Sequence, residues 1–254
     1  MTVDSTPAWL FVLVAAVFAF GGFIKGVIGL GLPTVVMGVL SVAMPPAQAA
    51  ALLVVPALLT NVWQIGWRGL GALLRRLAQM LLGVCAGVWF GADWLAASGR
   101  SAGWPTAGLG VALMIYAVLG LLNWRPRVAP AHERWWSPVI GVSTGLVTAA
   151  TGVFVLPAVP YLNALGLGRE ELIRALGLSF LVATLALGAA LGSRGALPAT
   201  VAAASLLALL PAFGGMWVGQ MLRQRVAPEP FRRVFLIGLL VLGLYLLLRV
   251  TLAG

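Results

Sequence analysis

The stretch Leu236-Ile-Gly-Leu-Leu-Val-Leu-Gly-Leu-Tyr-Leu-Leu-Leu248 holds no charge and a single polar side chain, Tyr245. A transmembrane β-strand alternates apolar and polar positions over about ten residues, and this run does not alternate. Shorter runs such as Leu206–Leu210 repeat the pattern. Across the chain, 61% of the 254 residues are hydrophobic and 9% are charged, with a mean hydropathy of +1.05. Soluble domains are about 45–50% apolar and about 25% charged, so a soluble enzyme is excluded. Disorder is excluded too, because it requires low hydrophobicity. The fold class that remains is an all-α polytopic membrane protein.

The formal net charge is +10, from 16 basic and 6 acidic residues. The basic residues lie in short stretches between apolar runs, as the positive-inside rule places them. No nucleic-acid motif accompanies them, and no nucleic-acid partner is expected. Cys85 is the only cysteine and His132 the only histidine. An internal disulfide and a multi-cysteine metal site are therefore excluded, and no cofactor or metal is expected. Met1–Trp9 contains Asp4 but no basic residue. A cleavable signal needs a basic start, so the first apolar run is read as part of the mature chain.

Ten apolar segments can be drawn, at 8–24, 27–43, 48–67, 72–95, 104–124, 137–150, 152–165, 170–191, 198–221 and 232–252. Trp9, Trp67, Trp94, Trp104, Trp124, Trp135 and Trp136 flank them as an interfacial aromatic belt would. If every segment reverses the chain, 13 basic residues, Lys25 included, fall on one side, and only Arg100, Arg194 and Arg249 on the other. Fusing segments one with two, and six with seven, turns this into 7 against 7. Ten segments are preferred. Both termini are then outside and the loop 125–136 is inside, in a bacterial inner membrane. Segments one, two, six and seven are short, and read as thin spans or re-entrant hairpins.

The sequence also repeats itself. Gly22–Gly26 matches Gly141–Gly145 at an offset of 119, Leu52–Thr60 matches Leu176–Thr184 at 124, and Gly87–Gly91 matches Gly215–Gly219 at 128. Residues 1–124 thus form one repeat, 125–136 a cytoplasmic linker, and 137–254 a second repeat. Five segments per repeat is an odd number, so the repeats have inverted topology. Inverted repeats provide inward- and outward-facing states around a central site, which points to transport.

The first repeat reads Gly22-x-x-Lys-Gly26-x-x-Gly29-x-Gly31, then an apolar run, then Pro45-Pro46-Ala47 and a polar-spotted helix to Asn61. A degenerate copy follows in the second half, with Gly145, Gly152 and Pro157. In these residues, in length and in duplication, the chain resembles the TauE/SafE family of sulfite and organosulfur anion exporters. The resemblance covers nearly the whole chain. It implies a secondary transporter for a small sulfur anion, with export as the direction.

Candidate site residues follow from the same stretches. Lys25 is the only lysine. It is flanked by Gly26 and Gly29, and the next helical segment is expected to start near Val27. A lysine beside a helix N-terminus makes an anion site. The alternative is a loop lysine obeying the positive-inside rule. The matching turn in the second repeat is Ser143, Thr144 and Gly145, followed by Thr148 and Thr151. Their hydroxyls either donate to oxyanion oxygens or bond backbone carbonyls. If both turns are re-entrant tips, they meet near the midplane. Thr60, Asn61 and Gln64 form a polar patch in the third segment, with Ser179 and Thr184 in its counterpart. Such groups line a path or bond helix to helix. The recurring glycines from Gly83 to Gly91 read as helix packing. Gly141–Gly145 matches G-x-S-x-G, but without an accompanying His and acid it is not a nucleophile elbow.

The expected partners are a small anionic substrate and the lipid bilayer, and a homo-oligomer is left open. No P-loop is present, so no ATPase is built in. Two other readings stand beside the sulfur-anion transporter. One is a carrier of another organic anion or a neutral solute, and the other is a non-transporting membrane scaffold.

Overall fold

A computed structural model describes residues 8–66, 69–96, 103–123, 127–195, 199–223, 225 and 228–253. Every regular element among them is helical. In chain order these are α1 (Ala8–Ile28), α2 (Leu32–Ala43), α3 (Pro46–Ile65), α4 (Leu70–Ala96), α5 (Gly103–Leu121), α6 (Pro130–Thr151), α7 (Ala158–Ala164), α8 (Arg169–Ser193), α9 (Ala199–Leu222) and α10 (Pro228–Ala253). Among the described residues, seven helices are long and apolar enough to cross a bilayer: α1, α3, α4, α5, α8, α9 and α10. Leu82, Phe90, Leu210 and Val234 are each more than 70% exposed. In water so broad an apolar surface would be a liability, whereas acyl chains solvate it. The chain is a multi-pass helical membrane protein. Trp67, Arg68, Arg100, Trp124, Arg125 and the Trp94 side chain lie outside the described residues.

Each apolar segment holds one helix, but the boundaries differ instructively. Only the second member of each expected short pair is short. Helix α1 runs through Gly22, Gly26 and Val27 to Ile28. The break comes later, at Gly29 (φ +83°) and Gly31 (φ +124°), backbone angles that side-chain-bearing residues avoid. There the chain turns back, so that Gly21 meets Leu32 and Gly31 meets Ile24. Pro33 in the first turn of α2 suits a helix start and not a continuation. Helix α6 begins at Pro130, so His132 and Trp136 are helical and the stretch 125–136 is only partly loop.

The return from α6 is unusual. Residues Gly152–Leu156 are buried and non-helical, and only seven residues of α7 follow. This stretch nevertheless brings the chain back to the start of α6. Val128 N–H donates to Ala164 O at 3.0 Å, and Ser137 Oγ lies 2.7 Å from Tyr161 Oη. Irregular backbone at membrane depth survives only where protein covers it, and burial supplies that cover here. The α6 end is closed by Gly152 N–H on Thr148 O and by Val153 N–H on Thr151 Oγ1.

The closest packing runs along glycine faces. A Cβ on Gly26 would stand 2.3 Å from Met216 O and 2.9 Å from the Cα of Gly219. A Cβ on Gly145 would stand 2.3 Å from Val84 O and 2.8 Å from the Cα of Gly87. The α1–α9 and α4–α6 contacts thus copy one another nearly atom for atom. They pair Gly83 with Gly215 and Gly87 with Gly219, an offset of 132 where the sequence alone suggests 128. A glycine repeat every four residues is ambiguous by one turn, and the facing helix removes the ambiguity. In both contacts the residue numbers rise together, so the helices run parallel. Helices α3 and α8 run antiparallel, with Val54 against Gly188 and Ile65 against Gly177. So do α5 and α10, with Gly103 against Val250 and Gly120 against Leu236.

Candidate functional site

Lys25 lies in the last turn of α1, at the carbonyl end of that helix. The expected placement beside the N-terminus of the following helix does not hold, because α2 begins only at Leu32. A lysine at a helix C-terminus is favoured by the macrodipole, but this one does not reach water. It is 2% exposed. Its ammonium donates to Thr60 Oγ1 at 3.0 Å and to Asn61 Oδ1, both buried on α3. Among the described residues no carboxylate pairs with it; Glu133, Glu170 and Asp93 pair with Arg76, Arg174 and Arg194 instead.

The third segment supplies the rest of the wall. Thr60 Oγ1 donates to Pro56 O at 2.6 Å, which leaves its lone pairs to Lys25. Because Asn61 must present its oxygen to the ammonium, its amide N–H₂ points elsewhere, and it has no partner. One turn on, Gln64 Nε2 donates to Gly29 O at 2.8 Å and to Ile173 O at 3.0 Å. This ties the α1–α2 turn to the start of α8. Gln64 Oε1 is left unpaired, as is the buried hydroxyl of Ser179. Burying such groups without partners costs about 1–3 kcal/mol each; Asn61 and Gln64 thus leave an unused donor and an unused acceptor in the Lys25 cluster.

Pro56 shapes α3 locally. It has no N–H, so Leu52 O loses its helical donor. Ser205 on α9 fills the gap, donating to Leu52 O at 2.7 Å and accepting from Val55 N–H at 3.3 Å.

Lys25, Thr60 and Asn61 are therefore brought together, with Gly29 joined through Gln64. Gly26 is a packing contact against α9. Ser143, Thr144 and Gly145 do not form a turn. They lie in the middle of α6, whose glycine face packs on α4, and glycines read as a turn are here a close helix crossing. The hydroxyls of Thr144, Thr148 and Thr184 donate to the carbonyls of Ile140 at 2.7 Å, Thr144 at 2.7 Å and Phe180 at 2.6 Å. None of these threonines joins the Lys25 hydrogen-bond network. Along α1, Lys25 lies seven residues beyond the helix midpoint at Phe18, about 10 Å at 1.5 Å per residue. Among the described residues, no three His, Cys, Asp or Glu side chains come together to hold a metal.

The family model described as "Sulfite exporter TauE/SafE" matches residues 13–246. The chain belongs to the TauE/SafE family. That assignment makes it a member of a membrane transporter family. No curated protein and no solved structure matches the chain. Within this TauE/SafE chain, Gln64 is the residue that the glycine motif does not announce. Its signal was its spacing of three and four residues from Asn61 and Thr60. Ser205 had no signal, since only packing shows which serine reaches the Pro56 gap.

Proposed function

We propose that this TauE/SafE protein is a secondary transporter that exports a small sulfur-containing anion, sulfite or a short organosulfonate. The observation that carries this reading is a buried ammonium without a buried carboxylate among the described residues. Taking an ion out of water costs several kcal/mol unless a partner compensates it. A small oxyanion would supply the missing charge. It would accept the remaining ammonium proton of Lys25 and the free N–H₂ of Asn61. A protein carboxylate would fill the site permanently, whereas a diffusible anion fills it once per cycle.

Gln64 Oε1 favours the organosulfonate within that class. It is an unpaired acceptor, which a bare oxyanion cannot use and a hydroxyl- or amino-bearing sulfonate can. Alternating access is supported by the copied α1–α9 and α4–α6 contacts and by the antiparallel α3–α8 and α5–α10 pairs. That is the arrangement expected of two inverted repeats around a shared axis. Each ion pair between helices, Arg76–Glu133 and Asp93–Arg194, joins residues that ten reversing segments put on one side. That reading places both termini outside the bacterial plasma membrane. An inside-negative potential then drives a monoanion outward by about 2.3 kcal/mol per 100 mV, with no further coupling needed.

The test is potential-driven efflux from proteoliposomes loaded in turn with sulfite, sulfate, short sulfonates and acetate. Efflux of a sulfur anion that Lys25→Ala abolishes is expected. Equal efflux from the variant would remove Lys25 from the site. No efflux of any anion would favour the scaffold or neutral-solute reading.

A further inference from the structure

The Lys25 cluster is closed off at the end where α3 stops. Lys25 is 2% exposed, and Thr60 and Asn61 are fully buried, so no solute reaches the ammonium unless part of the wall moves. An exposed surface begins just beyond Gln64: that side chain is half-buried, while Gly66 and Gly69 are exposed. Gly29 N–H donates to Lys25 O at 2.8 Å, which puts Gly29 one turn past Lys25. Gln64 is likewise one turn past Thr60 on α3. The Lys25–Thr60 and Gly29–Gln64 bonds each join residues 35 apart in the chain. They are successive rungs between the end of α1 and the end of α3, and the outer rung covers the inner one.

The outer rung has the properties of a latch. Gln64 Nε2 donates to Gly29 O at 2.8 Å and to Ile173 O at 3.0 Å, so one amide joins α3, the α1–α2 turn and the start of α8. The turn it holds contains Gly29 (φ +83°) and Gly31 (φ +124°), and residues at element ends are where hinges absorb backbone change. The side chain of Ile173 backs the amide, with its Cγ1 3.5 Å from where a Gly29 Cβ would stand. Helix α8 is equally close on the other side, since a Cβ on Gly177 would stand 3.3 Å from Gln64 Cγ. The bonds are also breakable. They lie beside the exposed end, so water replaces them when the turn moves, and such an exchange is a small net loss. An amide that only fastened helices would have both ends paired, whereas Gln64 Oε1 has no partner.

We infer that Gln64 is the latch of a gate over the Lys25 cluster: it holds the Gly29–Gly31 turn and the start of α8 closed, and both of its bonds break when the site opens. That the gate admits a transported anion rests on the function proposed above. The sealing of Lys25 by Gln64 does not.

Because Lys25 is the only lysine, its acetylation by an amine-reactive succinimidyl ester reports opening without any engineered label. The full chain is treated in maltoside micelles well below its melting temperature, and the peptide carrying residue 25 is followed by mass spectrometry. Slow acetylation is expected in wild type. Gln64→Met keeps the length of the side chain and removes its N–H donors, and should accelerate acetylation about tenfold, the effect of losing two modest hydrogen bonds. Ser205→Ala weakens α3 away from Gln64 and should leave the rate unchanged. An unchanged rate in Gln64→Met would overturn the inference, and so would equal acceleration by Ser205→Ala, because the label would then follow general loosening. Efflux from proteoliposomes separates this inference from the transporter reading. If wild type moves no anion but Gln64→Met accelerates acetylation, the latch stands and the transporter falls. If a sulfur anion flows in a Lys25-dependent way but Gln64→Met leaves acetylation slow, the transporter stands and the latch falls.

Discussion

The ammonium of Lys25 donates to the side-chain oxygen of Asn61, and the amide nitrogen of the same Asn61 has no partner. This pairing fixes the polarity of the site. The lysine consumes the acceptor of its neighbour and leaves the donor facing away. Cation and donor together ask for an anion.

Asn61→Asp is the sharpest test of that polarity. A carboxylate beside Lys25 would form an internal ion pair and occupy the cation. Proteoliposome flux should fall by tenfold or more, about 1.4 kcal/mol, with the protein still folded. Asn61→Ala removes a donor but leaves the cation open, and should cost less. Flux through Asn61→Asp equal to wild type would show that the anion does not use Lys25.

The glycine crossings predict a position-specific cost. In Gly145→Ala the new methyl would lie 2.3 Å from Val84 O, so α4 and α6 must separate. Overpacking of this kind costs about 1–3 kcal/mol. Gly214→Ala, on α9, meets nothing within 4 Å and should gain several tenths of a kcal/mol in helix propensity, out of about 1. Melting temperatures in detergent should move in opposite directions.

Ser205→Ala removes the hydroxyl that bonds Leu52 O beside Pro56. The carbonyl is left without its donor, at a cost of about 1–3 kcal/mol. A lower melting temperature is expected, and Ser205→Thr, which keeps the hydroxyl, should restore part of it.

The Asp93–Arg194 pair, 2.6 Å apart, predicts a pH dependence. The hydrogen bond from Arg194, and then its charge, hold the Asp93 carboxyl below its usual range. Its contribution is therefore present above the unfolded pKa of about 3.9 and is lost as pH falls through the lower folded value. The carboxylate is 79% exposed, so the effect is small and weakened by salt. The melting-temperature gap between wild type and Asp93→Asn should exist at neutral pH and close below pH of about 4. A gap that widens on acidification would contradict the assignment.

The sequence by itself determined the solvent and the segments. Runs such as Leu236–Leu248 admit only a helix in lipid, because the bilayer core leaves the backbone no other donors and acceptors. The ten segments and the family were legible because apolar runs, charge placement and the Gly22–Gly31 motif are local properties. Asn61 was legible as a polar group at membrane depth, though not as the partner of Lys25. Where the chain turns was not legible. Gly22, Gly26, Gly141 and Gly145 look the same in sequence as Gly29 and Gly31. The first four vacate space for a facing helix, and the last two adopt backbone angles closed to other residues. Only the partner helix distinguishes these uses. The same holds for Ser205 at the Pro56 gap and for Arg249 on the carbonyl of Val42. These are meetings of residues far apart in the chain, and tertiary packing alone decides them.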